Sequence, residues 1–378
     1  MDKLYCKGNM FSQAAKRALI SISGRFPIIL ITGPAGSGKA ALARNCFPGM
    51  SFIDMRSSAT RDIASVSPRT FLMAFQNGAV IHEAYLVPGM LEAVRYHVDR
   101  MGAGPGRFIL TSTRRIDAGA ESENGFMDGR LGVMELRGMD MADLESQKVS
   151  TYNPFRIMVD GQLPAVLGGK HSTAQILDDI METHIRRCIN VSNLPVFRRF
   201  LEVCARYGAQ PFSMNAMARE AGISAPTAKT WLALLRQYNV LDTVGSWFFF
   251  TDTGIMCHLL GLNTAEELIL SPYRASVART FALNELVRTR CIRMLERNLD
   301  TAPDADFTSR WKERYSMVVD PNIEVTQETL SRIGRMERKN GSKTLVLYLG
   351  DVTYSMGNTD CISFRDWSKL AAGIDYFS

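Results

Sequence analysis

Hydrophobic positions along the chain fall into three patterns. Over residues 1–150, short apolar runs alternate with helical stretches, the rhythm of a parallel sheet wrapped by helices. Candidate strands lie at 27–32, 50–55, 78–82, 107–112 and 133–136, and the Gly-rich turn 102–106 (GAGPG) precedes the fourth. Over 151–268 the apolar residues recur at helical spacing, as in Ile176, Ile180 and Ile185, or Phe197, Phe200, Leu201 and Cys204. Within that zone, a helix at 213–220, a turn at Ala221-Gly222, a second helix at 225–238 capped by Ser224 and an aromatic strand at 247–250 spell a winged helix-turn-helix. Over 269–378 the α/β rhythm returns. A long helix is expected at 274–297, strands at 315–319, 322–325 and 344–349, a helix at 327–338, and an exposed polar linker at 295–307. No internal repeat of solenoid length is present.

Composition narrows the class. The chain has 378 residues, 46% hydrophobic and 22% charged, which excludes a largely disordered polypeptide and predicts two or three domains. No apolar run reaches membrane-spanning length and the N-terminal residues lack a secretory h-region, so the expectation is a cytoplasmic protein with no membrane partner. Seven scattered cysteines without a CxxC pair read as reduced thiols, and no Cys/His spacing predicts a metal site. The net charge of +6 permits nucleic-acid contact without demanding it.

The sharpest chemical signal is Gly33-Pro34-Ala35-Gly36-Ser37-Gly38-Lys39-Ala40, after an apolar strand and opening a helix. Glycines there let successive N–H groups face phosphate oxygens, the helix N-terminus favours an anion, and Lys39 reaches the terminal phosphates. The eighth position of this pattern holds a hydroxyl for Mg²⁺, whereas Ala40 offers no oxygen. The strand at 78–82 runs into His82-Glu83, so Glu83 stands where a water-activating base would, and His82 where a metal-binding Asp would. Neutral imidazole is a poor Mg²⁺ ligand. Thr111, at the end of the fourth strand, is a candidate γ-phosphate sensor, and Arg130 a candidate arginine finger.

These residues, in this order, resemble a family of prokaryotic ATP-binding proteins of the AAA superfamily. The C-terminal half of that family is an uncharacterised domain with a winged helix and a nuclease-like α/β end. The resemblance covers roughly residues 12–375 and rests on the P-loop, Ile81-His82-Glu83 with Pro88, Leu110-Thr111-Ser112-Thr113, Gly129-Arg130 and the stretch from Leu136 to Glu145. It continues through Gly168-Gly169, Asp252-Thr253-Gly254 and Leu259-Leu260-Gly261. A nuclease end of this kind implies a helix Glu, a strand Asp and then Glu-x-Lys. Here Arg279 stands near the helix acid with Glu285 close by, Ser316 near the Asp, and Ile323-Glu324-Val325-Thr326 lacks the Lys, so nuclease activity is not expected.

The resulting expectation has three parts. Residues 1–150 form an α/β P-loop nucleotide-binding domain, 151–268 a helical winged-helix domain, and 269–378 a degenerate restriction-endonuclease-like α/β domain. The resemblance implies ATP as cofactor, with Mg²⁺ weakly held, weak or no ATP hydrolysis, a nucleotide-dependent switch, and oligomerisation left open. Gly33 to Ala40 and Thr111 would bind, and Glu83 and Arg130 would act in any hydrolysis. The alternative is a DNA-binding or protein-interaction module using the winged helix, with a vestigial P-loop. Between 195 and 245, six basic residues oppose three acidic ones, fewer than the phosphates a tight DNA binder neutralises.

Overall fold

The structure, a computed structural model, describes residues 11–102, 104–116, 129–150, 152–190, 193–288, 295–296, 306–309, 315–340 and 343–369. Three sheets organise it. The first contains β1 (Ile28–Thr32), β2 (Ser51–Asp54), β3 (Ala79–His82), β4 (Phe108–Ser112) and β5 (Leu131–Glu135), in the order β2-β3-β4-β1-β5. Every pairing in it is parallel. The strands β1, β3 and β4 are buried at every residue, as expected of apolar runs covered by helices on both faces. Ile28 and Leu30 enter one core with Ile81 and Leu110, while Ile29 and Ile31 enter the other with Leu42 and Val80. Because β1 lies between β4 and β5, the strand order reverses at its C-terminal end, the place where open α/β sheets take ligands.

The middle of the chain is helical. The helix Met214–Ala221 ends at Gly222, whose φ of 76° makes the turn, and the helix Ala225–Gln237 begins at Ser224, whose hydroxyl accepts from Thr227 N–H. A two-stranded antiparallel ribbon follows, β6 (Leu241–Val244) with β7 (Trp247–Phe250), and all four residues of β7 are buried. The two helices and the turn between them lie where the hydrophobic pattern places them, and β6 adds a strand the sequence pattern does not announce.

The helix Arg274–Arg288 is buried almost all round and joins this region to the last sheet. That sheet contains β8 (Leu295–Glu296), β9 (Phe307–Ser309), β10 (Tyr315–Asp320), β11 (Lys343–Tyr348), β12 (Tyr354–Met356) and β13 (Thr359–Ser363), in the order β12-β13-β11-β10-β9-β8. The central strands β10, β11 and β13 run parallel, with antiparallel strands at the edges. The helix Gln327–Asn340 makes the crossover from β10 to β11.

Three expectations are corrected here. The segment 322–325 is not a strand: the Asp320 carboxylate accepts from Asn322 N–H and Thr326 N–H at 3.1 and 2.8 Å and folds the chain into a turn. The helix expected at 274–297 is seen over Arg274–Arg288, residues 289–294 lying outside the described residues, and Leu295–Glu296 is strand. The linker 295–307 thus carries strand at both ends, residues 297–305 lying outside the described residues. No described helix is long and apolar enough to cross a membrane. The described cysteines are free, and Cys6 and Cys291 lie outside the described residues.

Candidate functional site: the loop after β1

The loop between β1 and the helix Lys39–Cys46 depends on its glycines. Gly33 sits at φ 149°, and a Cβ there would lie 1.8 Å from the Leu136 carbonyl oxygen. Gly36 and Gly38 take φ of 77° and 88°, backbone that side-chain-bearing residues rarely adopt. Ala35, Gly36, Gly38, Lys39 and Ala40 line a cavity of about 430 Å³. Its opposite wall comes from the helical region, through Pro164, Ala165, Lys170, His171, Gln175, Ile176, Asp179 and His184. Ala165 N–H donates to the Gly36 carbonyl at 3.1 Å, which fastens that wall to the loop. Pro34 shapes the turn through its carbonyl, and the Ser37 hydroxyl is buried without a partner and is not part of the cavity lining.

Lys39 is almost fully buried and donates to the carbonyls of Gly33 and Pro34, both at 2.8 Å, and to the Thr113 hydroxyl at 3.2 Å. Burial lowers its ammonium to a pKa of about 8, against the opposing pull of Glu83. Glu83 stands at the end of β3 with φ 53°, in left-handed backbone unusual for such a residue. Its carboxylate accepts from Thr113 N–H and Thr113 hydroxyl, each at 2.7 Å. Burial alone would raise that carboxyl, yet Lys39 and the neighbouring imidazoles, with the Thr113 N–H, hold it below the ordinary glutamate value. Nearby His184 accepts or donates a hydrogen bond at Tyr85 and stacks on Tyr238 at 5.6 Å.

Two sequence expectations change at this point. Thr111 is fully buried and is not among the cavity-lining residues. Its hydroxyl bonds His82 Nδ1 at 2.7 Å and accepts from Glu83 N–H at 3.1 Å, so it orients the β3 end. The residue that reaches the cavity is Thr113, which stands one position past the end of β4. Arg130 lies just before β5, at the opposite end of the sheet: its carbonyl accepts from Ile28 N–H at the start of β1, and its guanidinium pairs with Asp99. That placement sets Arg130 away from the cavity within this chain.

A phosphate chain fits these groups, since backbone N–H groups, a helix N-terminus and a lysine converge on one cavity. A divalent cation does not. Ala40 offers no oxygen, and each Glu83 oxygen already accepts a hydrogen bond from Thr113. Burial pushes His82 down to about 4, so its neutral ring, 4.0 Å from Glu83, forms no ion pair, and its Nδ1 is held by Thr111. Among the described residues no cluster of three His, Cys, Asp or Glu side chains is placed to hold a metal ion.

Arg279 donates to the Ala209 carbonyl at 2.7 Å, Ser316 is buried in β10, and Glu324 is exposed on the turn after it. Glu285 accepts from Gln162, Arg288 and Met141 N–H.

A model for a domain of unknown function (DUF8612) matches residues 156–266, the stretch that supplies the cavity's far wall and the helix–turn–helix. Uncharacterised proteins of Mycobacterium tuberculosis and Mycobacterium bovis are each 25% identical over 285 residues, 69% of this chain. The chain spans 62% of the length of those two relatives. Among solved structures, a Walker-type ATPase of Pyrococcus abyssi aligns with TM-score 0.48 and 14% identity over 68% of this chain and 98% of its own. A signal-transduction ATPase with a tetratricopeptide-repeat sensor from Pyrococcus horikoshii aligns with TM-score 0.27 and 11% identity over 77% of this chain and 47% of its own.

Proposed function

We propose that this chain is a P-loop nucleotide-binding protein with weak or no hydrolysis, in which phosphate occupancy of the loop sets the position of the helix–turn–helix and its ribbon. Gly33, Gly36, Gly38 and Lys39 hold the phosphate chain of ATP. Glu83 is a feeble base. Its carboxyl is held below the ordinary value, whereas an efficient general base titrates near the working pH. The poor metal fit lowers turnover further.

One observation carries the switch: Thr113 belongs to both parts. Its hydroxyl meets Lys39 and Glu83, and its carbonyl accepts from Asn239 Nδ2 at 2.8 Å. Asn239 stands just past Tyr238, the residue that caps the helix Ala225–Gln237. It is buried at φ 55°, and its Oδ1 accepts from Arg115 Nε at 2.7 Å. Arg115 N–H in turn donates to the Gln237 carbonyl at 2.7 Å. A phosphate that draws Lys39 away from Thr113 changes the load on the strand end, and Asn239 and Arg115 pass it on. Such coupling needs two arrangements that the ligand favours unequally.

The reading is tested by equilibrium binding of ATP and ADP to the full chain, with phosphate release followed in the same samples and Lys39→Ala as control. Binding abolished by Lys39→Ala, with little phosphate released, is expected. Absence of binding, or sustained Mg²⁺-dependent turnover, refutes it. The second reading, a nucleic-acid or protein contact, is favoured by the outward face of the helix Ala225–Gln237, where Lys229, Thr230 and Arg236 are exposed.

A further inference from the structure

The cavity holds a cation that the phosphate-loop pattern does not supply. Arg56, on the turn after β2, lines it beside Lys39, His82 and Glu83. Asp54 fixes this arginine. Its carboxylate accepts from Arg56 N–H at 2.9 Å, from Nε at 3.2 Å and from Nη2 at 2.9 Å. No hydrogen bond is made by Nη1 among the described residues. In the sheet, Asp54 is the register partner of His82. The carboxylate missing from the end of β3 is thus present one strand away, and it holds a guanidinium.

We infer that Arg56 is a phosphate-binding residue that supplies, from the protein, positive charge that a divalent cation would otherwise bring, so that the site takes a nucleoside triphosphate in its metal-free form. This rests on the nucleotide-binding reading above and adds the form of ligand the site selects.

The chemistry follows from the groups present. A metal-free triphosphate carries more negative charge than its Mg²⁺ complex, so its site needs more fixed positive charge. The cavity lining supplies Lys39, Arg56 and Lys170 against Glu83 and Asp179, with the Asp54 carboxylate behind Arg56, so it is the facing of the guanidinium toward the cavity, and not an excess of net charge, that serves the anion. A guanidinium presents paired donors that match two phosphate oxygens, which a lysine ammonium does not. Asp54 already restricts the side chain, so little rotamer freedom remains to be lost on binding. Arg56 is 44% exposed, which leaves the guanidinium open to an incoming ligand. The neutral ring of His82 between β2 and the loop adds no repulsion to an anion.

Titration calorimetry on the purified full chain tests this, with ATP in EDTA and ATP in excess Mg²⁺, using the native protein, Arg56→Ala, Arg56→Lys and Lys39→Ala. The native protein is expected to bind ATP within about threefold in the two conditions. Arg56→Ala is expected to lose about tenfold or more in EDTA and less in Mg²⁺, because the ion then supplies the charge. Arg56→Lys recovers part of the loss. The inference is overturned if Arg56→Ala binds ATP in EDTA as the native protein does, or if native binding requires Mg²⁺. If the native protein binds no ATP, or Lys39→Ala binds normally, the nucleotide-binding reading itself falls and this inference with it. A melting curve for Arg56→Ala matching the native one excludes a folding defect.

Discussion

At the scale of single residues, Lys39 gives the firmest prediction. Its folded-state pKa is lowered to about 8 from 10.5, with burial as the main cause. Below about 8 the ammonium is charged in both folded and unfolded states, and the folded state bears the full penalty. Between about 8 and 10.5 the folded chain sheds the proton first, the unfolded chain binds more protons, and the penalty is relieved as pH rises. Lys39→Met is therefore expected to be more stable than the native protein at pH 7 by roughly 1–3 kcal/mol, with the gap shrinking by pH 9.5. Urea unfolding of the two proteins at both pH values checks this, and a gap that widens with pH contradicts it. Binding of ATP should also take up protons at pH 8.5, since phosphate favours the charged ammonium. At this scale the loop was legible in the sequence because its function is local: Gly33 to Lys39 lie within one turn of chain. Thr113 was not, because choosing it over Thr111 depends on where β4 ends, and the run of polar residues from Thr111 to Thr113 does not mark that end. The distance of Arg130 from the cavity was hidden too. Its Gly-rich neighbourhood looks functional, but the start of a strand lies at the wrong end of a parallel sheet.

At the scale of elements, the junction between the helix Ala225–Gln237 and β6 decides how far a signal travels. Asn239 combines a left-handed backbone with two side-chain hydrogen bonds, to the Thr113 carbonyl and from Arg115. Asn239→Gly keeps the backbone geometry and removes both bonds. It is expected to cost about 1–3 kcal/mol and to leave ATP binding nearly intact. Hydrogen exchange over residues 225–250 should respond to ATP in the native protein and not in this variant. An unchanged response would mean that the signal, if any, runs another way, such as through the Tyr85, His184 and Tyr238 rings. The helix–turn–helix was readable because a cap, a glycine turn and apolar spacing agree there. The ribbon's first strand was hidden, since Leu241-Asp242-Thr243-Val244 is short and carries an acid. That acid proves to be a tertiary anchor: Asp242 pairs with Arg115 at 3.0 Å and with Arg137. The turn 322–325 was misread for the complementary reason. Alternating Ile323 and Val325 mimic a strand, while the Asp320 hydrogen bonds that bend the chain have no signature in hydrophobic pattern.

At the scale of the whole molecule, the expected three-part division meets at one buried residue. Gln162 lies between the first sheet and the helical middle: its carbonyl accepts from Met139 N–H, and its N–H donates to Asp252, each at 2.8 Å. Its side chain donates to Glu285 Oε1 at 2.7 Å and accepts from Arg288 at 2.7 Å, which brings in the helix that supports the last sheet. One continuous core extends from Ala35 through Phe248 and Phe281 to Trp367. Conditions that loosen this junction should therefore be felt by all three sheets at once. Glu285 sets such a condition. Burial raises its carboxyl to about 7, outweighing the attraction of Arg288. Between about 4.5 and 7 the folded state binds more protons than the unfolded one, so this group's contribution to stability falls as pH rises, and its penalty is complete above 7. Glu285→Gln removes that slope. Its amide N–H₂, facing either Met141 N–H or the Gln162 amide, also leaves one of those donors unpaired, at a cost of about 1–3 kcal/mol. The stability difference, native minus variant, is expected to be largest near pH 5 and to shrink toward pH 7.5, which denaturation at a series of pH values reads directly. A difference independent of pH would place Glu285 as a permanent anion paired with Arg288, and the junction would then be a fixed weld with no sensitivity to protons.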